Sequence, residues 1–313
     1  MIKSRAAYLC NVKLLLIVLV VLGHSLEQVG GQSSLLYRAV YLFHMPLFAF
    51  VSGLHLKSAE ACRKQAKTAA LLYLPVQGAA VLAGALGGQS LSLLTPWWHL
   101  WYLLSLCGWS LLALPCRGLP ERFPRGGVLL CPACVLAALL WGALPMGRVL
   151  SLSRTVVFFP YVLLGVLCPL RFQDGPGPRA RLRMAVGGLL GLIPARAVLE
   201  NAPDSFLYQA DGYGSFPLTF AGGACLRGLC FLAACGLGLL VLALVPARKL
   251  PVTKLGGDTL PAYLLHVLFL PPLALFWPGG GYGWLAAFSF AVVLVLWELG
   301  RWSRPVYTLL RPK

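Results

Sequence analysis

The chain has 313 residues, 59% of them hydrophobic and only 11% charged, with a mean hydropathy of +0.79, where a soluble globular protein carries roughly 25% charged residues. This balance excludes a water-soluble domain and implies a polytopic membrane protein. The net charge of +17 would suggest nucleic acid in a soluble protein, but here the cations must first be placed relative to a bilayer, and no nucleic-acid partner is expected.

Apolar runs long enough to cross about 30 Å of hydrocarbon at 1.5 Å per residue fall at about 12–29, 35–56, 67–86, 97–115, 127–145, 153–170, 182–199, 224–245, 258–277 and 283–300. They predict an all-α integral membrane protein of about ten transmembrane helices, a single multi-pass domain over 1–313 in the cell membrane. The third and seventh runs are rich in Gly and Ala and are interrupted by Pro75 and Pro194. The start, "MIKSRAAYLCNVKLLLIVLVVLGHS", has the basic-then-apolar order of a signal peptide. It reads as a retained first helix, because no small-x-small cleavage site follows and a His closes the core.

Lys and Arg test the count. With a cytoplasmic N-terminus, the inner segments hold Lys3, Arg5, Lys57, Arg63, Lys64, Lys67, Arg117, Arg122, Arg125, Arg171, Arg179, Arg181, Arg183, Arg248, Lys249, Lys254, Arg301, Arg304, Arg311 and Lys313. The outer segments and outer helix ends hold Arg38, Arg148, Arg154, Arg196 and Arg227, while Lys13 lies inside the first helix. The positive-inside rule is met at each loop, which places both termini in the cytoplasm.

Ten cysteines suggest disulfides until they are mapped. The predicted outer loops contain none, Cys225 standing only at the mouth of the eighth helix. "CPAC" at 131–134 has redox spacing without a thioredoxin-like pattern around it, so these cysteines read as small apolar packing residues. No metal site is expected. Two polar connections stand out. The inner one, 171–183, is basic and rich in Pro and Gly, a flexible connector suited to anionic lipid. The outer one, 200–223, combines Glu200, Asp204 and Asp211 with Tyr208, Tyr213 and Phe216. That mixture suits stacking on sugar rings and hydrogen-bonding their hydroxyls, and it equally fits an ordinary solvated loop.

Polar groups inside hydrocarbon are costly and point to function. His24 lies eleven residues, about 16.5 Å, beyond Lys13, and eleven steps of 100° leave the two about 20° apart on one helical face. His44 lies some nine residues from the outer start of the second helix, and His266 about eight from the inner start of the ninth. All three histidines can therefore meet near mid-membrane. Pro46 withholds a backbone donor beside His44 and crowds the carbonyl of Leu42, so a bend and a polar cavity are expected there, with Gly53 permitting close helix approach below.

The blocks "NVKLLLIVLVVLGHS", "YLFHMPLFAFVSG", "HLWYLLSL", "SRTVVFFPYVLLGVL" and "GGDTLPAYLLH" resemble, in order over most of the chain, the acyltransferase 3 family of membrane O-acyltransferases. Within it they are similar to the fucose 4-O-acetylase-like branch. The family hallmark of a basic residue, ten intervening residues and a His falls on Lys13 and His24. The resemblance implies catalysis at His24 and donor contact at Lys13. It carries the FHMPLF block to His44, the Trp-Tyr pair to Trp101 and Tyr102, the Arg before FFP to Arg154, and the late YLLH to His266. One departure is Asn11, where the branch commonly has Asp.

The expected chemistry is transfer of an acetyl or other short acyl group from acyl-CoA to a sugar hydroxyl on a lipid-linked or exported glycan. His24 takes the hydroxyl proton, and His44 or His266 orients the base or stabilises the oxyanion. Lys13, Trp101, Tyr102 and Arg154 serve the donor, Asp211 and Tyr213 the acceptor. Acetyl-CoA is then a substrate, and no bound cofactor is expected. A proton-coupled transporter or flippase fits the kinked helices and midplane histidines too, although no internal repeat and no mid-depth Asp or Glu are evident. A non-catalytic relative, suggested by Asn11, stays open beside it.

Overall fold

Nearly all of the apolar runs are helical in the computed structural model, which describes residues 7–88, 90–116, 126–277, 279 and 281–302. Among those residues there is no strand. The helices are α1 (Ala7–Gln28), α2 (Leu35–His55), α3 (Ala59–Leu86), α4 (Trp101–Cys116), α5 (Gly126–Trp141), α6 (Leu152–Leu167), α7 (Pro178–Leu190), α8 (Leu192–Asn201), α9 (Phe220–Leu244), α10 (Leu260–Leu265), α11 (Leu270–Phe276) and α12 (Tyr282–Trp302).

Among the described residues, eight stretches are long and apolar enough to cross a membrane, and each overlaps one of the predicted intervals. The other two intervals hold shorter apolar helices, Leu129–Trp141 and Leu260–Leu273. The structure therefore supports eight candidate spans where hydropathy alone suggests ten. Of the inner cations that oriented the chain, Lys3, Arg5, Arg117, Arg122, Arg125, Arg304, Arg311 and Lys313 lie outside the described residues.

Local chemistry explains the interruptions. The ninth interval is split into α10, a 3-10 turn at His266–Phe269, and α11. Pro271 and Pro272 cannot donate to the carbonyls one turn back, so the ladder breaks ahead of them. The seventh interval divides at Gly191, where the backbone meets Gly236 of α9 too closely for a Cβ on either residue. α2 continues through Pro46 as one helix, as intramembrane helices do when neighbours satisfy the freed carbonyl. α3 starts at an N-cap, Ser58, whose hydroxyl accepts from the Ala61 amide at 3.0 Å.

The described residues divide into two compact units. One comprises the chain up to Phe48, Pro169–Leu207 and the part from Leu229 onward. Its core lies along α1, where Leu14, Ile17 and Val21 pack with Leu255, Val293 and Leu296. The other comprises Ala49–Cys168 and Tyr208–Gly228. There Gly53 of α2 sits on α6, and a Cβ in its place would run into the Val162 carbonyl and approach the Gly165 Cα to 3.0 Å. Lys57 closes the end of α6 by donating from Nζ to the carbonyls of Gly165 at 2.7 Å, Val166 at 2.8 Å, and Cys168, the terminal groups that a helix leaves without a partner of its own. None of the ten cysteines, all among the described residues, is in a disulfide.

Candidate active site

α1 carries His24 and Glu27 three residues apart, the spacing that brings side chains together on one helix face. His24 Nδ1 lies 2.8 Å from Glu27 Oε2. A carboxylate oxygen accepts, so Nδ1 holds the ring proton and donates it to Glu27, and the basic lone pair of the neutral ring is on Nε2. The other carboxylate oxygen, Oε1, accepts from the hydroxyls of Tyr37 at 2.8 Å and Tyr41 at 2.7 Å, both on α2. Glu27 is thus held at both oxygens, and it fixes the imidazole that it faces.

Tyr41 links two histidines. Its ring stands edge-on to His24 at 6.4 Å and to His44 at 5.1 Å. Gly23 makes room for it, because a Cβ there would lie 2.9 Å from Tyr41 Cε2. On the other side, His266 stacks on His24 with centroids 5.3 Å apart and planes 26° from parallel. His266 Nδ1 lies 2.9 Å from the carbonyls of both Ala262 and Tyr263, and His44 Nδ1 lies 2.6 Å from the Val40 carbonyl. Carbonyls accept, so in both rings Nδ1 is the donor. All three predicted histidines belong to one unit, and all three share one tautomer.

The break in the ninth interval positions His266. The ring sits where α10 gives way to the 3-10 turn, and its Nδ1–H covers carbonyls at the end of α10. His24 lies four residues, about 6 Å, before the end of α1. Lys13 is half-buried on α1, eleven residues earlier.

The remaining predicted residues fall in the other unit. The guanidinium of Arg154 lies 4.7 Å over the Trp101 ring, and its Nε donates to the Tyr208 carbonyl at 3.0 Å. Trp101 also packs against Phe158 at 5.5 Å. Tyr102 makes a 2.5 Å hydroxyl contact with Ser52. Trp101 and Arg154 therefore form one stacked pair, beside which Tyr102 has a separate partner.

The outer segment is tied down by its own side chains. Asp211 pairs with Arg148 at 3.2 Å. Tyr213 is 2% exposed, donates its hydroxyl to the Leu139 carbonyl at 2.8 Å, and lies under the Arg227 guanidinium at 4.6 Å. Gly142 and Gly223 press so closely on its ring that neither has space for a Cβ. Its faces are packed against protein, which is no platform for a sugar. Further back, Asp204 accepts from Arg38 at 2.6 Å and from Ser33 at 2.9 Å.

Sequence reasoning missed Glu27, Tyr37 and Tyr41. No mid-depth acid is evident from hydropathy alone, yet Glu27 touches the central His. The His-x-x-Glu spacing on α1 carried that signal.

The family model described as an acyltransferase domain, that of the acyltransferase 3 family, matches residues 7–298. No curated protein and no solved structure matches the chain.

Proposed function

The chain belongs to the acyltransferase 3 family of membrane acyltransferases, and we propose that it moves an acetyl or other short acyl group from acyl-CoA to a sugar hydroxyl of a lipid-linked or exported glycan. The observation that carries this reading is the His24–Glu27 pair at 2.8 Å. A thioester needs a nucleophilic oxygen, an alcohol becomes one by losing its proton, and imidazole backed by a carboxylate suits that transfer near neutral pH.

His24 Nε2 takes the acceptor's hydroxyl proton while the oxygen attacks the thioester carbonyl. Glu27 keeps Nδ1 protonated and stabilises the imidazolium that forms. The tetrahedral intermediate collapses by breaking the carbon–sulfur bond, and His24 returns its proton to the departing thiolate, giving CoA and the ester. His266 supports the developing charge from its stacked position, and His44 helps to seat Tyr41 and so the Glu27 carboxylate.

Lys13 and the inner cations attract the donor's phosphates from the cytoplasm, with Trp101, Tyr102 and Arg154 as further donor contacts. On the acceptor side, Asp211 is the group suited to sugar hydroxyls, and Tyr213 acts by holding the shape of its segment. The test is to give the purified protein radiolabelled acetyl-CoA with glycan acceptor. Release of CoA together with label in the glycan supports the reading. Neither CoA release nor label from an intact, folded sample refutes it.

A further inference from the structure

The start of α1 organises two basic connections of its own unit. Asn11, 6% exposed, donates both amide hydrogens to backbone carbonyls, those of Pro246 at 2.9 Å and Arg248 at 3.0 Å. Its oxygen accepts from the Thr253 hydroxyl at 2.7 Å, and the Thr253 oxygen accepts in turn from the Leu250 amide at 2.7 Å. The segment 246–253 is therefore wound around one primary amide. Three residues after Thr253, Gly256 lies against the Cys10 carbonyl without room for a Cβ. The preceding helix end is tied in as well: the Tyr8 hydroxyl donates to the Leu242 carbonyl at 2.7 Å. Arg181 donates to the Ala243 carbonyl at 2.8 Å, and also to that of Pro176 at 3.1 Å.

This frame presents cations. Arg248, Lys249 and Lys254 are exposed on it, and Arg179 and Arg183 are exposed on the neighbouring connection. No acid occurs between 246 and 257; Asp174 and Asp258 are the acids of the two connections. Lys254 rests its Nζ 5.0 Å over the Trp297 ring. The arrangement also gives an amide at position 11 a role of its own, where the sequence resemblance leads one to expect Asp. Two carbonyl oxygens face this side chain, and a carboxylate has no hydrogen to give either of them.

Resting on the acyl-CoA reading above, we propose that the 246–254 segment, pinned by Asn11 and Thr253, is the seat of the ribose 3′-phosphate of the CoA donor, with Arg248 and Lys249 as its ligands and Asn11 as a positioning residue. Length supports it. Asn11 and His24 are thirteen residues apart on one helix, about 20 Å. An extended pantetheine arm of about thirteen bonds, with peptide-like reach near 1.2 Å per bond, covers about 15 Å, and the diphosphate and ribose carry the 3′-phosphate beyond that. Rigidity separates this partner from anionic lipid. A polybasic segment drawn to a charged bilayer surface works through the field and needs no fixed backbone, whereas a phosphate at a set distance from a reacting thioester needs a fixed frame.

The experiment compares acetyl-CoA with acetyl-3′-dephospho-CoA as donors for the full chain in neutral phosphatidylcholine nanodiscs, with equilibrium binding of CoA and 3′-dephospho-CoA measured alongside. The wild type should prefer the phosphorylated donor in KM by about tenfold, the scale of a charge-assisted contact. In Arg248→Ala/Lys249→Ala that ratio should fall toward one, and in Asn11→Asp it should fall likewise, with kcat changed much less than KM. Thr253→Ser, which keeps the hydroxyl, should hold the ratio. An equal preference in the wild type, or an equal loss on both donors in the variants, overturns the proposal. So does an effect of the variants that appears only when phosphatidylglycerol is added, which assigns the segment to lipid. If CoA binds with 3′-phosphate dependence and nothing is transferred, the seat stands and the acyl-transfer reading falls.

Discussion

Replacing Glu27 by Gln preserves shape while changing what the side chain can accept. In the native site two tyrosine hydroxyls donate to Oε1, at 2.8 and 2.7 Å, and His24 Nδ1 donates to Oε2 at 2.8 Å. The glutamine oxygen is drawn to the side with two donors, which turns its NH2 toward His24 Nδ1. An imidazole facing a donor answers with a lone pair, so the ring proton moves to Nε2 and the base loses the nitrogen that faces its work. Loss of the charged hydrogen bond alone is worth about 1.5–3 kcal/mol, which is about 10- to 150-fold in rate, and the tautomer change adds to it. The expected outcome is a fall in kcat of about 100-fold or more, with KM for acyl-CoA within about threefold of wild type. The assay is transfer of labelled acetyl by purified protein at matched, folded concentrations, with Tyr37→Phe/Tyr41→Phe beside it. Removing the two hydroxyl donors leaves the carboxylate on His24 and should cost less than Glu27→Gln. A Glu27→Gln enzyme within threefold of wild type in kcat, or one whose whole loss lies in KM, refutes the assignment of Glu27 as the group behind the base.

Three further outcomes follow from the same structure. His24→Ala should abolish product ester in cells expressing only that variant while the protein reaches the membrane at near-normal level by immunoblot. Lys13→Ala should raise KM for acyl-CoA and Lys13→Arg should restore much of it, because charge and reach survive; an unchanged donor dependence in Lys13→Ala leaves this cation as an anchor for α1. Gly53→Ala forces a methyl into the backbone of α6, a cost of about 1–3 kcal/mol, and should lower Tm in detergent, whereas Gly78→Ala, whose Cβ meets nothing within 4 Å, should leave it in place.

Much of the fold is legible in the sequence because bilayer thickness dictates run length: each predicted interval falls on helix, although the breaks do not fall at the expected prolines, since α3 runs on through Pro75 and the seventh interval divides at Gly191 rather than at Pro194. The count is less legible. Hydropathy sees the apolar content of 258–277 but is blind to a proline pair that stops the hydrogen-bond ladder. In the site, depth arithmetic groups His24, His44 and His266, since helical rise is constant. Glu27 escaped it because an acid near a helix end looks like ordinary interface, and only the three-residue offset from His24 distinguishes it. Tyr213 shows the opposite failure. An aromatic in a polar loop reads as exposed, yet two glycines, Gly142 far back in the chain and Gly223 ten residues on, close over its ring. Asn11 looked like a lost carboxylate, and what the sequence hides is the pair of carbonyls that call for an amide.

The three histidines differ in what holds their Nδ1–H. For His44 and His266 the acceptor is main chain, which every amino acid supplies alike, so no single replacement at the acceptor position can retire it. For His24 it is a side chain. Selection can therefore adjust the partner of the His24 ring at one genetic address, position 27, while the two companion rings stay insulated from drift. Descendants of this sequence that alter pace without altering architecture should carry their changes at Glu27, Tyr37 and Tyr41 sooner than at Val40, Ala262 or Tyr263.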